Sequence, residues 1–327
     1  MRRVVSITVL LSLLFTFIVQ SNVFAARKVP DFIGIACGNG VFVTIDNGNS
    51  IAVSMNCTSW TYAIRDSKAY KFNKVIRGKN EFMILAEDLN DNTSSIILKS
   101  RNGFKWDIVQ DNDTKTNIRS IAWTGNKYIA LGYKVILTSD DGTEWARQDI
   151  ESDACLNDAI YDGKQFIAVG SSNGSGCILK STDGVVWSEC YELMKDQEKD
   201  SFYKIIYTGE YYLIKTTMGY TFYSEDLVHG QKIAVDYLYG QPCSLNDIAY
   251  NGNTFVAVTD KGGIYTSKDG QNWTLRKVKK IDDYDLKTVR YTNGKFLMIG
   301  NSKNSSIMLT SMNGINWCVS KIAAASK

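Results

Sequence analysis

Short apolar runs alternate along the chain with polar turns rich in glycine and asparagine. Examples are "QFIAV" from Gln165 and "TFVAV" from Thr254, each of which follows a turn of this kind. Such runs, bounded by turn residues and rich in β-branched and aromatic side chains, predict strands. No segment after the N-terminus has a convincing helical period. The pattern therefore predicts an all-β protein.

The apolar runs recur with a period of about 40 residues, which indicates an internal repeat. Each copy contains four predicted strands, the pattern of a β-propeller blade. A single four-stranded sheet cannot bury both faces, whereas blades packed in a ring can. We therefore predict that residues 28–327 form one seven-bladed β-propeller with four antiparallel strands per blade. The blades are expected near residues 32–66, 72–110, 118–150, 156–194, 202–236, 245–280 and 286–323.

A seven-residue motif recurs between the third and fourth predicted strands, and one copy reads "SKDGQNW" from Ser267. The serine and the acid or amide are expected to bind turn amides, and the glycine supplies a positive φ. The tryptophan is expected to pack against the hairpin and the neighbouring blade. The acid or amide positions are Asn102, Asp141, Asp183, Asp269 and Asn313, and the tryptophans are Trp60, Trp106, Trp145, Trp187, Trp273 and Trp317.

Two copies of the motif are imperfect. Cys57 replaces the glycine in blade one, and blade five reads "SEDLVHG" from Ser224, without the glycine or the tryptophan. This loss predicts that blade five has the loosest turn.

The motif resembles the Asp-box, or BNR, repeat of sialidase-like propellers. The repeat is also similar to those of photosystem II assembly-factor-like and other exported bacterial propellers, and the resemblance covers nearly the whole chain after the N-terminus. The usual box reads S-x-D-x-G-x-x-W, whereas here the acid and the glycine are adjacent. In that family the boxes are structural and lie away from the active face, which implies a structural role for the positions named above.

Residues 1–25 differ from the rest of the chain. Two arginines precede an uncharged apolar run from Val4 to Val19, and small residues stand before a cleavage point after Ala25. This order is typical of a secretory signal peptide, and the run is short for the alternative, an uncleaved anchor helix. No second apolar span follows. We expect a secreted or periplasmic protein that is monomeric and has no membrane span after cleavage.

Charge and cysteine usage narrow the functional classes. The 37 basic and 34 acidic residues are interspersed and give a net charge of only +3, which indicates no nucleic-acid partner. Seven cysteines without a CxxC spacing argue against a zinc or redox motif, and they leave disulfides and buried thiols as open alternatives. His229 is the only histidine, so the chain lacks the several histidines that a His-based metal site would need, and a catalytic triad would have to use this one residue. We expect no cofactor and no metal.

The predicted innermost strands line a central channel, and their second and third residues face one mouth of it. The candidate ligand-binding residues there are Asn73, Lys74, Arg119, Asn157, Asp158, Tyr203, Lys204, Asn246, Asp247 and Lys287. This mixed ring of charges and amides suits a polar ligand such as a glycan or a peptide. The alternative is that these side chains only pair with one another. The aromatic segment 235–244 is a further candidate for partner contact.

Sialidase chemistry would need three arginines that converge on one carboxylate. Arg119 stands near a strand start, whereas Arg77 and Arg290 stand near strand ends, which predicts that they point to opposite rims. Asp158 and Asp247 are candidates for the paired carboxylates of an inverting glycosidase.

We assign no catalytic residue and interpret the chain as an exported, non-enzymatic binding or scaffolding module for a glycan, a peptide or an envelope protein. The alternative functions are a glycan-acting hydrolase and an assembly factor for an envelope complex. How the ring closes is left open between packing of the end blades and a disulfide.

Overall fold

The structure is a computed structural model that describes residues 31–91, 94–109, 117–190, 200–233, 245–259, 262–279, 281, 284–303 and 305–322. The predicted signal peptide and the aromatic segment 235–244 lie outside the described residues. Among the described residues, we find no helix long and apolar enough to cross a membrane.

Seven four-stranded sheets account for all named strands, and each sheet is built from four consecutive strands. The innermost strands are β1 (Phe32–Gly38), β5 (Tyr70–Arg77), β9 (Ile118–Trp123), β13 (Ala154–Tyr161), β17 (Phe202–Tyr207), β21 (Leu245–Tyr250) and β25 (Asp285–Thr292). The second strands are β2 (Val41–Asp46), β6 (Phe82–Asp88), β10 (Tyr128–Gly132), β14 (Phe166–Ser172), β18 (Tyr212–Thr216), β22 (Phe255–Thr259) and β26 (Lys295–Asn301).

The two outer strands of each sheet follow in the same order. The third strands are β3 (Ile51–Ser54), β7 (Ser95–Ser100), β11 (Val135–Ser139), β15 (Ser175–Ser181), β19 (Thr221–Ser224), β23 (Ile264–Ser267) and β27 (Ser306–Ser311). The outermost strands are β4 (Thr61–Ile64), β8 (Asp107–Ile108), β12 (Ala146–Asp149), β16 (Ser188–Cys190), β20 (Gln231–Ile233), β24 (Trp273–Arg276) and β28 (Cys318–Ile322). The predicted seven-bladed β-propeller with four antiparallel strands per blade is confirmed.

The core consists of seven apolar clusters, one at each junction between neighbouring blades. The junction of blades one and two, for example, joins Val43 and Ile45 to Phe82 and Ile84, all of them fully buried. Burial of apolar surface between blades is thus the main stabilising interaction of the ring, because a blade alone would expose these faces.

The ring closes by packing and not by strand exchange, since blade one is β1–β4 and blade seven is β25–β28. Phe32 and Trp60 of blade one pack with Ile299 and Met308 of blade seven. The side-chain amide of Asn301 donates a hydrogen bond to the carbonyl oxygen of Phe32 at 2.7 Å. Of the two alternatives that the sequence left open, packing between the end blades is the one observed within the described residues.

The motif turns, which we define as residues 54–60, 100–106, 139–145, 181–187, 224–230, 267–273 and 311–317, share one hydrogen-bond pattern. The serine hydroxyl accepts the backbone N–H three residues later at 2.8–2.9 Å in all seven turns. The acid or amide accepts two successive backbone N–H groups at 2.7–3.1 Å. The indole N–H of five of the tryptophans donates to the carbonyl at the glycine position.

Candidate functional site

Each innermost strand contains a β-bulge in its first half. The register with the second strand slips at Ile33, Asn73, Arg119, Asn157, Tyr203, Asn246 and Lys287. A bulge inserts one unpaired residue and re-aims its side chain. The residue before each bulge is buried in the core, while the bulged residues form a ring that we call the channel mouth.

Sequence reasoning missed the bulges, although a signal for them exists. In a regular strand the buried positions would be the first, third and fifth. Here the buried apolar residues on either side of the bulge are three apart, as in Phe202 and Ile205 or Leu245 and Ile248. This spacing of three in place of two marks the extra residue in each inner strand.

Several mouth residues bind the next blade and are therefore partly structural. The amide of Asn157 donates to the Phe202 carbonyl at 2.8 Å, and that of Asn246 donates to the Leu286 carbonyl at the same distance. Both contacts join a bulge to the start of the following inner strand. These two residues are consequently engaged before any ligand arrives.

The other polar mouth residues differ in exposure, and only Arg119 and Tyr203 among them are exposed. The guanidinium of Arg119 donates to the sulfur of Cys155 at 2.7 Å, and the side-chain amide of Asn73 donates to Glu87 at 2.8 Å. Lys287 pairs with Asp285 of its own blade. Tyr203 is 49% exposed, and its hydroxyl has no hydrogen-bond partner among the described residues; the ammonium of Lys215 lies 4.5 Å from its ring centre. Arg119 and Tyr203 are thus the side chains most open to a ligand.

The residues that directly follow the bulges form a layer beneath the mouth, which we call the channel wall. Asp247 is its centre: one carboxylate oxygen accepts from Lys204 at 2.5 Å, and the other accepts from Thr288 at 2.8 Å and from the backbone N–H of Val289 at 3.0 Å. Arg290 also donates to this second oxygen. The wall therefore links blades five, six and seven through one carboxylate.

The electrostatics keep Asp247 ionised. Its side chain is only 7% exposed, and burial alone would raise its pKa. The cations of Arg290 and Lys204 and the hydrogen bonds from Lys204 and Thr288 outweigh burial and hold the pKa of Asp247 well below its usual range. A carboxyl in this state is a poor proton donor, which argues against an acid-catalyst role for Asp247.

Asp158 occupies the equivalent position in blade four but has weaker contacts. Lys74 lies 3.8 Å from one of its oxygens, and the backbone N–H of Ile205 donates to the other at 3.3 Å. The ammonium of Lys74 donates instead to the hydroxyl of Ser120 at 2.8 Å. The two carboxylates proposed as a catalytic pair thus stand in different environments, one saturated with donors and the other lightly bound.

The three arginines have three different partners. Arg77 lies over the ring of Phe82 at 5.0 Å, and Arg119 contacts Cys155 at the mouth. The expectation that Arg290 points to the opposite rim from the mouth is wrong, because its side chain reaches Asp247 in the channel wall. The buried carboxylate attracts the guanidinium along the channel and overrides the direction that its place in the strand suggests.

The channel encloses a cavity of about 510 Å³ that runs from the mouth residues to Arg77, Trp123 and Tyr291 at the other end. Its lining is rich in cations. The charged lining residues are the basic Lys74, Arg77, Arg119, Lys204, Lys287 and Arg290 and the acidic Asp158 and Asp247. Six bases against two acids leave an excess of four positive charges in the lining, one of which Asp285 balances through its ion pair with Lys287. Such a cavity favours ligands that carry negative charge.

The structure gives the state of five cysteines and the spacing of the potential metal ligands among the described residues. Cys37, Cys57, Cys155, Cys177 and Cys318 are free thiols. Within the part of the chain that the structure describes, no three His, Cys, Asp or Glu side chains gather in a way that would hold a metal ion.

Solved structures with the same architecture are found at low sequence identity. The structure described as YCF48 bound to D1 peptide has 16% identity and a TM-score of 0.60, with 91% of this chain and 95% of that chain covered. Virginiamycin B lyase from Staphylococcus aureus has 7% identity and a TM-score of 0.67, with 86% and 95% covered. At such identities the likeness shows the fold alone.

A third similar structure is PorZ of Porphyromonas gingivalis, described as an essential bacterial surface component of the type-IX secretion system. It has 12% identity and a TM-score of 0.64, and the match covers 91% of this chain but only 39% of that chain. No protein-family model matches the chain. No curated protein matches it either.

Proposed function

We propose that the protein is a non-enzymatic binding module that takes up a polar peptide segment of a partner protein at the channel mouth. The observation that carries the proposal is the row of bulges, which places seven side chains of five residue types around one cavity. A purely structural ring would gain nothing from this variety, because the neighbouring core positions are uniformly apolar.

Three features support a peptide. The cavity lining carries an excess of cations, which suits acidic side chains or a terminal carboxylate. Tyr203 is half exposed and offers the rigid, amphipathic surface that recognition sites favour. A propeller of the same architecture has been solved with a bound peptide. Glycan binding remains an alternative occupant, to be separated by experiment.

The test replaces the two open mouth residues, as Arg119→Ala with Tyr203→Ala. Lys204 is unsuitable as a probe because its ammonium binds Asp247, so its removal would also loosen the channel wall. The matched control is Tyr291→Ala, which removes a tyrosine of similar exposure from the other end of the channel. Peptide and glycan arrays probed with the three proteins would identify ligands that depend on the mouth.

We expect peptides that bind the wild type and the control with similar affinity and bind the double variant about tenfold or more weakly. A loss of this size is expected when a charge-assisted hydrogen bond and a neighbouring aromatic contact are removed. Array ligands with the same affinity for all three proteins would refute the proposal. If only glycans bound in a way that depends on the mouth residues, the ligand of the channel mouth would be a glycan and not a peptide.

We further propose that the protein acts after export, on the basis of residues 1–25. Cleavage after Ala25 would leave a mature chain that starts at Ala26. Mass spectrometry of the protein from its native host should show this N-terminus in a secreted or periplasmic fraction. A full-length chain in the cytoplasmic fraction would refute export.

A further inference from the structure

A second groove lies between blades six and seven, on the face that carries the motif turns and away from the channel mouth. It encloses about 450 Å³ between strands β23 and β24 and the motif turn of blade seven. The residues that matter for its chemistry are Asn253, Lys268, Arg276, Met312 and Ile315. We propose that this groove binds an acidic peptide segment that also carries an aliphatic side chain.

The first argument is a departure from the repeat. The position of Lys268, directly after the motif serine, holds Met55, Arg101, Asp140, Thr182, Glu225 and Met312 in the other blades. The position of Arg276, three residues after the tryptophan, holds Ala63, Val109, Gln148, Cys190 and Ser320. Blade six alone has a base at both positions. The motif turn therefore does not need these cations, since the other blades form it without them.

The second argument is the state of the two cations. Arg276 donates through Nε to the hydroxyl of Thr266 at 2.7 Å, and the ammonium of Lys268 donates to the hydroxyl of Thr254 at 2.8 Å. Each is held by a neutral group, and within the described residues neither forms an ion pair. The guanidinium keeps further N–H donors for a ligand carboxylate.

One carboxylate, Asp269, also lines the groove, but its oxygens are already occupied. They accept the backbone N–H groups of Gln271 and Asn272, the side-chain amide of Asn272 and the hydroxyl of Ser267. Asp269 is thus the turn-forming acid of the motif, and its carboxylate oxygens are used for hydrogen bonds within the turn. The groove keeps a net positive charge from Lys268 and Arg276.

The third argument is the apolar wall. Met312 is 70% exposed and Ile315 is 46% exposed, although both stand beside a polar groove. Exposed aliphatic and thioether side chains adapt to varied apolar partners. The described lining contains no aromatic ring on which the face of a sugar would stack. A peptide with an aliphatic and an acidic side chain uses both walls, and Asn253 can pair with its backbone.

The test uses Lys268→Thr with Arg276→Gln, because blade four has Thr182 and blade three has Gln148 at these positions of the same fold. The control, Arg101→Thr with Lys105→Gln, removes the same charge from the motif turn of blade two, where both residues are exposed. A random peptide library displayed on phage is selected on the wild type and depleted on the groove variant. Selected peptides are then synthesised with Glu and Asp intact or replaced by Gln and Asn.

We expect the selected peptides to be rich in acidic and aliphatic residues and to bind the groove variant about tenfold more weakly than the wild type. Their affinity for the blade-two control and for the channel-mouth variant should be unchanged, which separates this site from the channel. Failure to select any peptide that distinguishes the groove variant would overturn the proposal. So would equal binding of the amide-substituted peptides, or binding of an acidic oligosaccharide to the groove where peptides do not bind.

Discussion

The motif turns and the channel mouth show two different uses of the same repeat. The turns keep one hydrogen-bond pattern in all seven blades, even where a motif residue is lost. The mouth keeps one backbone feature, the bulge, but carries five residue types across the seven blades, with asparagine in three of them. Within one chain, uniform positions thus identify structural roles, and varied positions on a uniform backbone identify candidates for recognition.

Blade five shows how firmly the structural role is kept. Its turn was expected to be the loosest, yet Leu227 adopts φ of +64° and keeps the hydrogen bond to Ser224 at 2.9 Å. Its side chain is 1% exposed and packs with Ile167 and Val169 of blade four. The leucine fills the junction where this turn lacks a tryptophan, and that burial offsets the cost of a left-handed residue.

The largest expected loss of stability comes from replacing Asp247, a channel-wall residue to which we assign a structural role although it lines the channel. Asp247→Ala should destabilise the protein by about 2 to 4 kcal/mol, because it leaves Arg290 and Lys204 without a counter-charge in a partly buried site. Asp158→Ala, at the equivalent place in blade four, should cost at most about 1 kcal/mol, since its contacts are longer. Urea unfolding measures both. Equal losses would break the distinction between the two sites.

The pH dependence of stability gives a second test of the role of Asp247. The pKa of Asp247 is lower in the folded protein than in the unfolded chain, so its stabilisation is complete above pH of about 4 and declines as pH falls below that value. The stability difference between the wild type and Asp247→Asn should therefore be constant near neutral pH and shrink in acid. A difference that persists at the lowest accessible pH would contradict the assignment of the charge.

The second effect concerns the turns. Gly270→Ala should destabilise by about 2 to 3 kcal/mol, because the residue has φ of +69° and a new Cβ would stand 2.5 Å from Leu213 of the preceding blade. Gly252→Ala is the matched control, with φ of +90° and nothing within 4 Å, and should cost only about 1 kcal/mol for the backbone alone. A result in which the two variants are alike would show that contact between blades contributes little at the turn.

The sequence was sufficient for features that repeat and insufficient for those that do not. The blade count follows from a period that packing imposes on every copy, and the strand starts at Phe32, Phe202 and Leu245 agree with the structure. The bulges were missed because a period of two was assumed throughout the inner strand. The direction of Arg290 depends on Asp247, which stands 43 residues away in another blade, so no local pattern could reveal it.

Lys215 gives a third, smaller effect beside the mouth. It is 7% exposed, lies against Tyr203, and faces the charges of Asp247, Lys204 and Asp200. Burial lowers its pKa to about 8, with Asp247 offsetting part of the effect. Between this value and the ordinary one the unfolded chain holds more protons, so the stability that depends on Lys215 rises with pH.

Lys215→Met should therefore stabilise the protein by about 1 to 2 kcal/mol at pH 7, and this gain should shrink as pH rises from 8 towards 10. Unfolding curves of both proteins at several pH values measure the difference directly, which cancels the titration of other groups. A gain that is independent of pH would mean that Lys215 stays charged in the folded protein.

The smallest effect returns to the imperfect turn of blade one. Cys57 has φ of +65°, a region in which a residue with a Cβ is strained, and it stands where five other turns have glycine. Unlike Leu227, it is only half-buried, so it gains less from packing. Cys57→Gly should be neutral or stabilise by up to about 0.5 kcal/mol, whereas Leu227→Gly should destabilise by about 1 to 2 kcal/mol. If both variants lost stability equally, side-chain packing would dominate at every motif turn, and the strain of the left-handed residue would not set the preference for glycine.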